Sequence, residues 1–134
     1  MVHRAMVLLC LGFMTVLMAS CGQTYKLQYI TVAPGASVSS AISLGSIGST
    51  QPLTVTAHFS NTKTEDVTGR SKYTFLAPVA PAVAQTAVSV NVAGVVEDIG
   101  KGCVVANSRT SIYNIVVTYS GSTTLAFVSV ISGC

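Results

Sequence analysis

The sequence predicts an all-β fold, a sandwich or barrel of seven or eight strands with no helix of note. Three observations lead there. Valine, threonine, serine and glycine dominate a chain in which charged residues make up only 8% and tryptophan is absent, a composition that favours strands and turns. Apolar and polar residues alternate with period two over short segments, the signature of half-buried strands. Clusters of Gly, Ser, Asn and Asp interrupt those segments, as the turns between strands require.

Taken in order, "KLQYITV" (26–32) places Ile30 and Val32 on one face and ends at Pro34-Gly35. "SVSSAISL" (37–44) puts Val38, Ile42 and Leu44 on one face, as an edge strand would. "LTVTAHF" (53–59) turns Leu53, Val55, Ala57 and Phe59 inward and Thr54, Thr56 and His58 outward. "SNTKTEDVTGRS" (60–71) reads as a polar connection with all its charges exposed. "KYTFL" (72–76) is a short strand, followed by "APVAPAVAQTA" (77–87), an Ala/Pro loop without helix caps. "VSVNV" (88–92) leads to Gly94, a position for a positive-φ turn. "VVEDIGKGCVV" (95–105) is expected to bend near Gly100–Gly102. "IYNIVVTY" (112–119) and "TTLAFVSVI" (123–131), joined by Ser120-Gly121-Ser122, form a terminal hairpin. Alternation assigns Leu53, Val55, Ala57, Ile115, Val117, Val128 and Val130 to the core, while Leu125, Phe127 and Ile131 form an opposite stripe that a loop should partly cover.

The first twenty residues read differently. A basic start, "MVHR", precedes fifteen residues from Ala5 to Ala19 without a charge. At 1.5 Å per residue such a run covers roughly 22 Å, short of the ~30 Å hydrocarbon core. A basic start, a short apolar middle and small residues at the end describe a cleavable secretory signal. A buried N-terminal helix is the alternative, but it needs a helical protein to pack against, and the remainder does not read as helical.

The run closes on "LMASC", which resembles the lipobox of bacterial lipoproteins. Leu17, Ala19, Ser20 and Cys21 fit that pattern, and Met18 stands where the family prefers leucine. The resemblance implies that the Cys21 thiol takes a diacylglycerol and that the chain is cut before it. The chemistry suits a cysteine, because a thiolate is a good nucleophile. Each buried CH₂ contributes ~0.8 kcal/mol, so two or three acyl chains anchor firmly where one would be marginal. Gly22 follows the cysteine; in Gram-negative families this resembles the class sorted to the outer membrane. The expected organisation is a signal peptide over 1–20, a short lipidated tether over 21–25 and one domain over 26–134.

Removal of Arg4 leaves six basic residues against four acids, a net charge of +2. That is too weak and too dispersed for nucleic acid, which wants clustered Lys and Arg. The 114 residues from Cys21 onward are enough for a single core. No second apolar run in them is long enough to span a bilayer.

Over most of residues 26–131 the chain resembles the bacterial immunoglobulin-like domains of group 2, common in envelope and adhesion proteins. "IGSTQPLTVTAHFSN" is similar to that family's glycine-led second strand, and "EDVTGRSKYTF" to its "DVT" stretch and third strand. "VNVAGVV" resembles the turn between its fourth and fifth strands, with Gly94 as the expected glycine, and "NIVVTYSGSTTLAFVSV" resembles its closing hairpin. The resemblance implies an immunoglobulin-like β-sandwich and, since these motifs punctuate strands, speaks to fold more than to activity. Tyr73 stands where the family usually has a core tryptophan, and the Ala/Pro loop looks like an insertion.

Chemistry-bearing residues are sparse. His58 is the only histidine after the signal, outward on its strand, and no G-x-S-x-G elbow accompanies it. The acidic pairs Glu65-Asp66 and Glu97-Asp98 read as exposed loop charges, because calcium wants six to eight oxygens and no D-x-D-x-D-G loop is present. No glycine-rich loop opens a helix to cradle phosphate, and Cys103 and Cys134 lack the spacing and histidine companions of a zinc site. No cofactor, no metal and no enzymatic activity are expected.

Cysteine arithmetic gives one further pair. Cys10 leaves with the signal and Cys21 is consumed by lipid, so Cys103 and Cys134 remain, in a compartment where disulfides form. A bridge would close a loop of about 31 residues, for which the chain-entropy estimate is ~3.5–4 kcal/mol. Two regions are candidates for binding. The Ala/Pro loop carries Pro78, Val79, Pro81 and Val83, an apolar patch on a stiff loop that either meets a partner or folds back on the sandwich. Of the five tyrosines, Tyr73, Tyr113 and Tyr119 read as core or corner residues, leaving Tyr25 and Tyr29 near the tether, a thin basis for carbohydrate binding. The sequence therefore points to a non-catalytic envelope lipoprotein held by its lipid, on the outer membrane, with an envelope or surface protein as partner. An accessory subunit of a secretion or surface-assembly machine is the alternative. Fully extended, the five residues from Cys21 to Lys26 reach at most about 18 Å, which keeps the domain near the lipid.

Overall fold

The computed structural model describes residues 25–76, 87–100 and 111–130. Within them the chain forms ten strands: β1 (Leu27–Ala33), β2 (Ile42–Leu44), β3 (Thr50–Pro52), β4 (Thr54–Phe59), β5 (Thr64–Asp66), β6 (Lys72–Phe75), β7 (Val88–Val90), β8 (Val95–Asp98), β9 (Ser111–Tyr119) and β10 (Ser122–Val130). The protein is an all-β sandwich. Its strand count exceeds the expected seven or eight for two reasons. The segment 50–59 divides at Leu53, where the backbone changes partners from β8 to β1 and β5. The polar connection 60–71 contains a strand of its own, β5, paired with β4.

One layer holds the sheet β2-β10-β9-β6. The other joins β1-β4-β5 to β3-β8-β7, continuous through Leu53, whose N–H donates to the Gly94 carbonyl at 2.9 Å. All pairings are antiparallel except β2 with β10, which is parallel in the register Val128↔Ile42 to Val130↔Leu44. The β9–β10 hairpin closes at Ser120-Gly121, both with positive φ (46° and 83°), the handedness that matches strand twist in a two-residue turn.

Alternation decides the core, as expected. Leu53, Val55, Ala57, Ile115, Val117, Val128 and Val130 are all buried, and Ile30, Val32, Ile42, Leu44, Val96 and Tyr113 join them. Each fully buried Val, Leu or Ile contributes roughly 1.5–3 kcal/mol. Phe59, expected inward, is half-buried, because it lies where β4 runs out of the sandwich. Leu125 and Phe127 are half-buried, Ile131 lies outside the described residues, and the Phe127 N–H donates to the Gly35 carbonyl at 2.8 Å.

Two readings are corrected. Val38 does not face the core; it is 56% exposed in a single 3₁₀ turn over Val38–Ser40. Ser37 and Ser40 cap that turn reciprocally, each side-chain oxygen accepting from the other's N–H, so the serines satisfy the backbone locally instead of extending it. Asp98 is not an exposed loop charge. It lies on β8 and is fully buried, while Glu97 beside it is exposed. Pro78, Val79, Pro81 and Val83 of the Ala/Pro loop, together with Cys21, Cys103 and Cys134, lie outside the described residues.

Candidate functional site

The chain enters the sandwich at the end where β4 turns into β5, and a groove of about 340 Å³ forms there. The turn is built by short polar contacts. Thr62 takes a φ of +65°, its N–H donates to the Phe59 carbonyl at 3.0 Å, and the Lys63 N–H donates to Asn61 Oδ1 at 3.2 Å. The entering strand is tied to this turn by Ser60, whose N–H donates to the Lys26 carbonyl at 2.9 Å and whose Oγ accepts from the Lys26 N–H at 3.3 Å.

Tyr25, Phe59, Lys63, Thr64 and Glu65 line the groove. The Lys63 ammonium sits over the Tyr25 ring, 5.0 Å from its centroid. Glu65 bonds Arg70 at 2.6 Å, and the Arg70 guanidinium lies over Tyr119 at 5.5 Å. The result is a strip across both layers, Tyr25–Lys63–Glu65–Arg70–Tyr119, in which two cation–π contacts flank an ion pair. Both Arg70 and Glu65 are about half exposed, so that pair adds little stability. The sequence names Tyr25 and Tyr29 only as tyrosines near the tether. It gives no sign of the groove, because Tyr25 and Lys63 are 38 positions apart.

His58 faces outward, as alternation requires. Its ring stacks on Tyr29 at 4.4 Å with planes 13° apart, and its Nε2 lies 3.0 Å from Thr31 Oγ1. Both partners come from β1, the strand beside β4, and with His58 make a cross-strand cluster.

The "DVT" stretch is a structural latch. The Asp66 carboxylate accepts from the Thr68 hydroxyl at 2.6 Å and the Thr68 N–H at 2.9 Å, and this bonding, the hydroxyl first, holds its pKa below the usual value. Val67 is buried, Thr68 Oγ1 accepts from the Val55 N–H at 2.9 Å, and the Thr68 carbonyl accepts from the Tyr73 hydroxyl at 2.8 Å. The Tyr73 side chain thus takes part in a corner beside the core, half-buried.

At the other end of the sandwich, Asp98 Oδ1 accepts from the Gly100 N–H at 2.9 Å. The Asp98 backbone accepts from Gly48 at 2.7 Å and donates to Ser49 at 3.0 Å. Tyr113, from the opposite layer, is equally buried; burial raises its phenol pKa, and the Asp98 charge raises it further. Among the described residues, no group of three or more His, Cys, Asp or Glu is placed to hold a metal ion, and no helix is long and apolar enough to cross a membrane. No protein-family model and no curated protein matches this chain.

Proposed function

We propose that this chain is a lipid-anchored, immunoglobulin-like β-sandwich of the bacterial envelope, acting without catalysis as a structural or protein-interaction module. The observation that carries the reading is where the sandwich starts. β1 begins at Leu27, six positions after Cys21. An anchor at Cys21 would leave almost no free linker. The immunoglobulin-like part draws support from the parallel β2–β10 pair, the β9–β10 hairpin and the β6–β9 pairing within one layer. The non-catalytic part draws support from the separation of the ionisable groups. Asp66 is spent on Thr68, Glu65 on Arg70, and His58 on Tyr29 and Thr31.

Fatty-acid labelling in a bacterial host tests the anchor. The wild-type chain is expected to take label and fractionate with membranes, and Cys21→Ala to lose both. Label retained by Cys21→Ala would sink the reading. The same reading pairs Cys103 with Cys134. Alkylation of the protein without reductant, followed by mass spectrometry, should leave both unmodified, and labelling of both would exclude the bridge.

An accessory subunit that pairs through a sheet edge is the second reading. It is favoured by β1, which has a ladder partner on one side only among the described residues and can accept another strand on the other. A stoichiometric partner recovered from solubilised envelopes, and lost on Thr31→Pro, would favour it.

A further inference from the structure

We infer that the end of the sandwich bearing Tyr25, Lys26, Lys63, Arg70 and Tyr119 is a seat for an anionic lipid surface. The inference rests on the anchored reading above and extends it from a tether to a defined orientation. The first ground is reach. From Cys21 to Tyr25 a fully extended chain spans at most about 14 Å, so a lipid on Cys21 holds this end, and no other, against the headgroups.

Charge is the second ground. Lys26, Lys63, Arg70 and Lys72 are all exposed and lie at this end, with Lys72 in register with Thr118 just before the hairpin turn. Glu65 and Asp66 are the carboxylates among them, so the described residues of this end carry an excess of two positive charges. Glu65 is engaged by Arg70, and Asp66 is turned into bonds with Thr68. Basic side chains near an anionic leaflet each gain about 1 kcal/mol, roughly fivefold in occupancy.

The third ground is the type of aromatic residue. Tyr25 and Tyr29 are 42% and 51% exposed, and Tyr119 borders the strip beneath Arg70. Tyrosine, apolar in body and polar at its tip, favours the headgroup level of a bilayer. The opposite end differs. There, among the described residues, Glu97 is exposed and Asp98 buried, and Ile47 is an exposed aliphatic side chain beside Gly100.

The chain has no tryptophan, which makes single-tryptophan variants clean reporters. Full-length protein purified from membranes, as Tyr25→Trp or as Ile47→Trp, is reconstituted into vesicles of phosphatidylcholine, with and without phosphatidylglycerol. Acyl chains brominated near the headgroup serve as quencher. Flotation reads the anchor, and quenching reads the seat. Both variants should float with both vesicles. On phosphatidylglycerol the indole fluorescence of Tyr25→Trp should be quenched and that of Ile47→Trp should not. Lys63→Glu in the Tyr25→Trp chain should reduce the seated fraction about fivefold or more while flotation persists. Flotation with equal quenching at the two positions, or with no dependence on phosphatidylglycerol, overturns the seat alone. Failure to float on either vesicle overturns the anchor and the seat with it.

Discussion

The Tyr73 hydroxyl fills the space that a Cβ on Gly94 would occupy, at 2.7 Å from that position. The two residues come from different layers, Tyr73 on β6 and Gly94 in the turn between β7 and β8. The hydroxyl is fixed there by its bond to the Thr68 carbonyl, and Gly94 is buried with a φ of +76°. Two demands therefore meet at one glycine: a left-handed backbone and room for a phenol. The phenol at position 73 is thereby accommodated by the fold through its polar tip, not merely by its ring.

Gly94→Ala should destabilise the domain by about 2–4 kcal/mol, combining the left-handed penalty with overpacking against Tyr73 and Thr68. Urea unfolding monitored by circular dichroism measures it. In a Tyr73→Phe background the same substitution should cost less, since the nearest atom is gone, and the shortfall is the coupling between the two sites. Equal costs in both backgrounds would show that the Tyr73 hydroxyl adds nothing to the left-handed penalty and the crowding by Thr68.

Asp98→Ala should cost about 1–3 kcal/mol, because it removes the acceptor from the Gly100 N–H at the buried end of β8. Asp98→Asn keeps an acceptor oxygen and should cost less. An Asp98→Ala variant as stable as wild type would mean that Gly100 finds another partner at no loss.

Tyr113 sets an alkaline limit. Its folded pKa is raised from 10.0 by burial and then by the Asp98 charge, and burial raises Tyr73 as well. Above about pH 10 the unfolded phenols shed protons that the folded ones keep, so stability is intact below that pH and falls as pH climbs toward the folded values. The urea midpoint should hold steady from neutrality to about pH 9 and decline beyond about pH 10. Tyr113→Phe should flatten that decline, and an unchanged slope in the variant would refute the assignment.

The sequence by itself determined which side chains face inward and where the chain reverses. Ile30, Val32, Leu53, Val55, Ala57, Ile115, Val117, Val128 and Val130 were all legible, because period-two alternation is a local property of extended backbone. So were the hairpin at Ser120-Gly121 and the positive φ of Gly94, since each rests on the conformational freedom of one or two residues. What required the tertiary structure depends on which strands become neighbours. Val38 alternates with Ile42 and Leu44, yet its serine neighbours close a turn that lifts it away. Glu65-Asp66 and Glu97-Asp98 look alike along the chain, but β5 lies on an open edge and β8 lies inside, so only Asp98 is buried. The groove joins Tyr25 to Lys63 and the strip joins Arg70 to Tyr119, pairs that no local pattern connects. Local periodicity fixes the direction of a side chain, whereas burial of a charge and assembly of a surface depend on the partner that folding brings to it.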